Sequence, residues 1–300
     1  MTSITITDLL TTIFVIVDDW YQEHGKPLLR GKVGTKPEFT DSEVITLLLA
    51  MDFIPFPSET QFLGFIRANY LGMFPKLLDQ SQFNRRARNL RLIVEQLHRS
   101  WLSQLGATQE KCFLLDTKPV PVVGLKRSNR HSDFAGSASY GHCASRSMKY
   151  FGYKLVAITT LDGILVAYEL VPAHTDEREA AEVVLNYLHG CQIICDKGFV
   201  GDFWQSFIQE QTGNYVWTPK RSNQHCQNPK KFDRWLNSVR ERIEGVFHEI
   251  TNTGRNLEKL LAKTIIGLTT RVIAKITSHA LRHLLRIKFG IKVLTFETAA

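Results

Sequence analysis

The chain lacks any apolar run long enough to span a bilayer. Its most apolar early stretch, residues 9–17, is bounded by Asp8, Asp18 and Asp19. That is far short of the ~20 residues a spanning helix needs. It also lacks a basic start followed by an apolar stretch and a small-residue cleavage site, so no secretory leader is expected. Cysteine is sparse, odd in number and scattered, at Cys112, Cys143, Cys191, Cys195 and Cys226. That is no disulfide framework, and a reducing cytoplasm suits it. With no C-x2-C pair, His142-Cys143 and Cys191-x3-Cys195 read as thiols in or near the core rather than zinc ligands. No internal repeat is visible.

What is present is globular. The 300 residues are 44% apolar and 22% charged, and the length allows about two domains. The net charge is +8, from 37 Lys and Arg against 29 Asp and Glu, but it is unevenly spread. From Lys220 onward 16 basic residues face 6 acidic ones, giving +10. The first 219 residues hold 21 against 23, or −2. Such asymmetry points to a polyanion, most often nucleic acid, with a solvated basic surface as the plainer alternative.

Residues 1–105 read as helical. Thr40-Asp41-Ser42-Glu43 matches a capping box ahead of an apolar run. Pro55 and Pro57 break the pattern, Ser58-Glu59 starts another helix, and Gly72 and Pro75 interrupt again. One long helix is predicted over 81–105. It has Leu90, Ile93, Val94, Leu97 and Trp101 at helical spacing, and Arg85, Arg86, Arg88 and Arg91 in its opening. A helix-turn-helix reader of DNA and a helical bundle with a solvated Arg face both fit.

From Lys111 the texture changes. Extended chain is predicted over 112–115 and 120–123, then a long loop rich in Gly, Ser, Arg and His over 124–149. Strands over 150–160 and 164–171 are joined by Leu161-Asp162-Gly163, a hairpin turn signal. A helix over 176–188, a strand over 192–195, a helix over 200–210 and a strand over 215–218 follow. A polar loop leads to a helix over 232–250, then one or two basic helices over 257–287. This order implies a mixed sheet covered by helices. Trp204 and Trp217 read as core residues in preference to stacking partners for a base.

Two acids close apolar strands: Asp116 after Leu114-Leu115, and Asp196 after Ile193-Ile194-Cys195. Such an acid is costly unless it is paired, hydrogen-bonded or metal-bound. Parallel neighbouring strands would set the two side by side, and a divalent cation would relieve their repulsion. Oxygen-only ligands suit Mg2+ or Mn2+. A third acid is expected from the helix over 232–250. Ile243, Val246, Phe247 and Ile250 mark its buried face. Glu244 borders that face, with Arg240 one turn earlier, whereas Glu241 falls on the solvated side. Taken singly, each acid is as well explained as a turn, cap or surface residue.

In this order, several blocks resemble those of insertion-sequence transposases with a DDE catalytic domain. They are Leu114-Leu115-Asp116-Thr117, Tyr150-Phe151-Gly152-Tyr153-Lys154, Pro172-Ala173-His174-Thr175-Asp176, Ile194-Cys195-Asp196-Lys197-Gly198-Phe199 and Arg240-x3-Glu244 with Phe247. The resemblance runs over about residues 110–285. It departs where Asn237 replaces a frequent tyrosine and Thr251 a frequent lysine.

The resemblance implies an α/β, ribonuclease-H-like mixed sheet flanked by helices over 109–252. An all-α N-terminal domain would occupy 1–108. A basic helical extension over 253–300 would pack on the catalytic domain. It implies a bacterial, cytoplasmic enzyme that binds terminal inverted repeats in double-stranded DNA and then cleaves and joins them to target DNA. Two Mg2+ ions, with Mn2+ as substitute, would be held by Asp116, Asp196 and Glu244. Lys154, Lys197, Arg240, Arg127, Arg130, Arg85, Arg86 and Arg255 are the candidate DNA contacts. Two ends to be cut are compatible with a homodimer. A nuclease or domesticated relative without strand transfer needs the same acids. A non-catalytic DNA-binding regulator is the alternative of another class.

Overall fold

The computed structural model describes residues 4–29, 37–127, 132–143, 146–220 and 227–291. The chain divides into a helical unit, Met1–Leu105 with Ile250–Ala300, and a sheet unit, Gly106–Glu249.

In the helical unit, α1 (Ile6–Trp20) starts where the Thr5 side chain caps the Asp8 amide, and it buries Leu9, Leu10, Ile13, Val17 and Trp20 along one stripe. The capping box ahead of α2 (Asp41–Ala50) forms as read: Thr40 Oγ1 accepts from Glu43 N–H, and the Glu43 carboxylate accepts from Thr40 N–H. Ser58 caps α3 (Glu59–Asn69) and Asp79 caps α4 (Gln80–Asn89). The single helix expected over 81–105 is two, because the chain turns at Leu90 before α5 (Arg91–Gln104). That turn lets Phe83 and Ala87 of α4 be buried along with Leu90, Ile93, Val94, Leu97 and Trp101.

The C-terminal part forms one long helix, α9 (Ile265–Phe289), capped by Thr264 and ended by Gly290. It packs against α2, α4 and α5. This segment groups with the N-terminal helices. The physical reason lies in its apolar width. Val272, Ile273, Ala274, Ile276, Ala280, Leu281, Leu284 and Leu285 are all buried, which is more than a one-sided surface helix would carry.

In the sheet unit, β1 (Cys112–Val123) lies between β3 (Met148–Thr160), antiparallel, and β5 (Gln192–Ile194), parallel. Strand β6 (Tyr215–Trp217) extends the sheet beyond β5 in parallel. The far edge of β3 is shared end to end. β2 (Ser139–Cys143) pairs with its first residues and β4 (Leu165–Pro172) with the rest. β2 lies within the expected loop over 124–149; its Gly, Ser and His content hid a strand whose pairing is set by β3. Helices α6 (Glu177–Leu185) and α7 (Asp202–Thr212) supply Ala180, Ala181, Val184, Leu185, Trp204 and Ile208 to the core cluster with Phe113, Leu115, Val156, Ile158 and Ile193. Helix α8 (Lys230–Asn252) buries Leu236, Ile243, Val246 and Phe247. The result is a mixed sheet of order β2-β3-β1-β5-β6, with β4 also on β3, flanked by helices.

Candidate active site

Asp116 does not end a strand, as the sequence suggested; β1 runs on to Val123. It sits instead where β5 stops pairing. The last parallel pair is Leu114 with Ile194, so Asp116 and Asp196 stand at matching positions, each two residues further on. Beyond that pair the β5 side of β1 is open, while β3 still pairs on the other side, with Ala157 opposite Asp116. Alternation along β1 turns Phe113 and Leu115 into the α6–α7 core and puts Asp116 on the opposite face.

Asp196 begins the short turn Lys197–Phe199, its Oδ1 accepting from Lys197 N–H at 2.6 Å. Asp116 Oδ1 likewise accepts from Thr117 N–H at 2.7 Å. Each acid thus takes a bond from the amide that follows it, which fixes the carboxylate without neutralising it.

Helix α8 brings the third acid. Arg240 Nη1 lies 3.3 Å from Asp196 Oδ1, and its Nη2 lies 3.3 Å from Glu244 Oε1. The guanidinium is only 12% exposed, whereas the two carboxylates are about half exposed. Arg240 therefore joins the helix acid to the strand acid. Arg242, on the other side of α8, donates to the Asp162 carbonyl in the β3–β4 turn. Glu241 and Glu244 are both exposed, but Glu244 is the one that shares Arg240.

One acid was missed in the sequence. Glu177, in the first turn of α6, accepts from Thr117 Oγ1 at 3.4 Å. A Cβ on Gly198 would come within 2.1 Å of Glu177 Oε2, so this carboxylate lies tight against the Asp196 turn. In the sequence, Asp176-Glu177 reads only as a helix start. Nothing linear places it beside β1.

Burial pushes the Asp116 carboxyl up to about 7; Asp196 and Glu177 add to that, while Thr117 N–H and Arg240 oppose it. Among the described residues no three acidic, His or Cys side chains are grouped closely enough to hold a metal ion as they stand. The donor chemistry nonetheless fits a hard divalent cation. The groups are all oxygen, one is kept near neutral by burial and like charge, and a cationic side chain already bridges the other two. The Cys191 and Cys195 thiols are buried and free, outside any such set, and Cys226 lies outside the described residues.

The candidate DNA contacts are placed differently from one another. Lys197 is exposed beside Asp196. Lys154 donates to the Thr175 carbonyl at 2.7 Å and so steadies the segment before α6. Arg127 lies in the turn Leu125–Arg127, and Arg130 is outside the described residues. Arg85 is exposed on α4. Arg86 and Arg255 are both held by partners within the helical unit. Arg86 donates to Asp41 and the Phe39 carbonyl, and Arg255, 9% exposed, pairs with Asp52. Trp204 is a core residue as read, but Trp217 is 41% exposed, since β6 is the sheet's edge strand.

The family described as transposase DDE domain matches residues 106–260. No curated protein and no solved structure matches the chain. Among the described residues, no helix is long and apolar enough to cross a membrane.

Proposed function

The chain belongs to the family of transposase DDE domains, and from that premise we propose that it cuts and rejoins DNA at the terminal inverted repeats of a bacterial insertion sequence. The observation that carries this reading is the meeting of Asp196 and Glu244 on Arg240 beside a near-neutral Asp116. A structural role would not need two acids on one arginine beside a raised third acid where a parallel strand ends.

Asp116, Asp196 and Glu244 would hold the divalent metal, Mg2+ or Mn2+. Bound there, the metal supplies charge neutralisation at the scissile phosphate and lowers the proton affinity of an attacking water or 3′-hydroxyl. This chain's own groups do the rest. Asp116, its carboxyl raised to about 7, would have to be ionised to serve as a ligand. Arg240 holds Asp196 and Glu244 in register and has the donor geometry to meet a phosphate. Lys197 stands next to Asp196, where it can meet the backbone of the cut strand. No side chain is asked to form a covalent bond with DNA; positioning and charge stabilisation carry the rate.

The test uses a labelled duplex carrying the element's own terminal repeat, taken from DNA flanking the coding sequence. It is incubated with Mg2+, Mn2+ or EDTA in the presence of a supercoiled target plasmid. Metal-dependent nicking at the repeat boundary together with joined product is the expected result. Nicking without joining would reduce the reading to a nuclease. Binding without any cut would make it a regulator and remove the acids' role.

A further inference from the structure

The helical unit holds a buried charge centre that is not balanced. Asp52, 2% exposed, accepts from Lys275 Nζ at 3.0 Å and from Arg255 Nη2 at 3.3 Å. Lys275 and Arg255 are themselves only 2% and 9% exposed. One carboxylate thus serves two buried cations. Arg255 Nη2 also reaches the Leu48 carbonyl, but its Nε and Nη1 are buried with no partner. Buried charge without a counter-charge is costly, and an anion beside it would remove that cost.

A cavity of about 380 Å3 lies against this arginine. Its wall is formed by Arg255, Arg271 and Lys259 and by the start of α3 at Ser58, Glu59 and Thr60. Ser58 Oγ takes the Gln61 amide, while the Glu59 and Thr60 amides open the helix with no intrahelical acceptor. Their N–H groups and the helix dipole favour an anion there. Among the lining residues Glu59 is the acidic one, and its carboxylate is already held by the side-chain amides of Gln80 and Asn84 at 2.7 and 3.1 Å.

We propose that this cavity is a phosphoryl-binding site, with Arg255 as its buried anchor and Arg271, Lys259 and the α3 N-terminus as its walls. A guanidinium with three unpartnered N–H groups, one on Nε and two on Nη1, beside a helix start is chemistry that suits the oxygens of a phosphate. The phosphate is either a backbone phosphodiester of DNA or a free phosphate. The inference lies wholly in the helical unit and does not depend on the three acids of the sheet unit.

The experiment is a thermal melt of the full chain in sodium phosphate against sodium chloride at matched ionic strength. The expected result is a phosphate-specific rise of a few degrees, since a ligand of the folded state alone stabilises it. That rise should vanish in Arg255→Gln and shrink several-fold in Lys259→Gln. The Lys259 side chain is exposed, so this second variant keeps the test valid where Arg255→Gln fails to fold. DNA affinity then separates the sources. Weaker DNA binding by Lys259→Gln, with phosphate competing against DNA, assigns a phosphodiester. Unchanged DNA binding assigns free phosphate. A melt no higher in phosphate than in chloride, or a rise undiminished in Lys259→Gln, overturns the site.

Discussion

Arg240 Nη1 lies 3.3 Å from Asp196 Oδ1, and through this contact α8 is tied to the end of β5. The same guanidinium holds Glu244 one turn along, so removing it unties two acids at once. Arg240→Gln is expected to slow DNA cleavage on the order of 100-fold while leaving the melting temperature nearly unchanged. Initial nicking rates at saturating Mg2+ check this; a near wild-type rate would mean the arginine is only structural.

Asp116 makes stability depend on pH. Its carboxyl is raised from 3.8 to about 7 in the folded chain, so the folded state holds a proton that the unfolded state has already lost. That contribution is full below about pH 4 and fades as pH rises through about 7. Without metal, Asp116→Asn should therefore gain stability over the wild type as pH goes from 5 to 8, by at most about 3 kcal/mol. Melts in EDTA across that range measure the gap. A gap that stays constant with pH would show that Asp116 is not buried among like charges.

Asp52 works in the opposite sense. Burial pushes its carboxyl up, but Lys275 and Arg255 outweigh burial and hold it below the usual carboxylate value. Its contribution is present above about pH 4 and is lost as pH falls through the lowered value. Asp52→Asn strands two buried cations and should cost about 3–5 kcal/mol at neutral pH. Denaturant melts followed by helix signal test it, and a loss below about 1 kcal/mol would contradict the burial.

Two glycines should respond with opposite sign. A Cβ on Gly152 would sit 2.2 Å from the Val120 carbonyl oxygen, backbone that cannot move without parting β1 from β3. Gly152→Ala is expected to cost about 3 kcal/mol or to leave the protein insoluble. Gly64, within α3, has nothing within 4 Å of its Cβ position. Gly64→Ala should stabilise by about 0.5–1 kcal/mol, because alanine loses less freedom on entering a helix. Paired melts of the two variants decide it.

Much of the sheet unit is legible from local pattern. The hairpin, the alternation of strands and helices after it, and the apolar phase of α8 each follow from short-range signals, and that phase singled out Glu244 over Glu241. What pattern could not reach depends on partners far along the chain. The Ser139–Cys143 strand exists because β3 is long enough to pair twice. Glu177 joins the site only because α6 starts beside Thr117. The basic C-terminal charge reads as a surface, yet Lys275 and Arg255 are inside, held by an aspartate some 200 residues earlier. The Leu90 break escaped because apolar spacing continues through it.

The most direct test of the central claim compares Asp196→Asn, Glu244→Gln and Glu241→Gln with wild type on the labelled terminal-repeat duplex in Mg2+, with DNA binding followed in parallel. All four proteins are predicted to bind, while only the wild type and Glu241→Gln cut. Cleavage by Asp196→Asn or Glu244→Gln at near wild-type rate, or loss of cleavage in Glu241→Gln, would contradict the account.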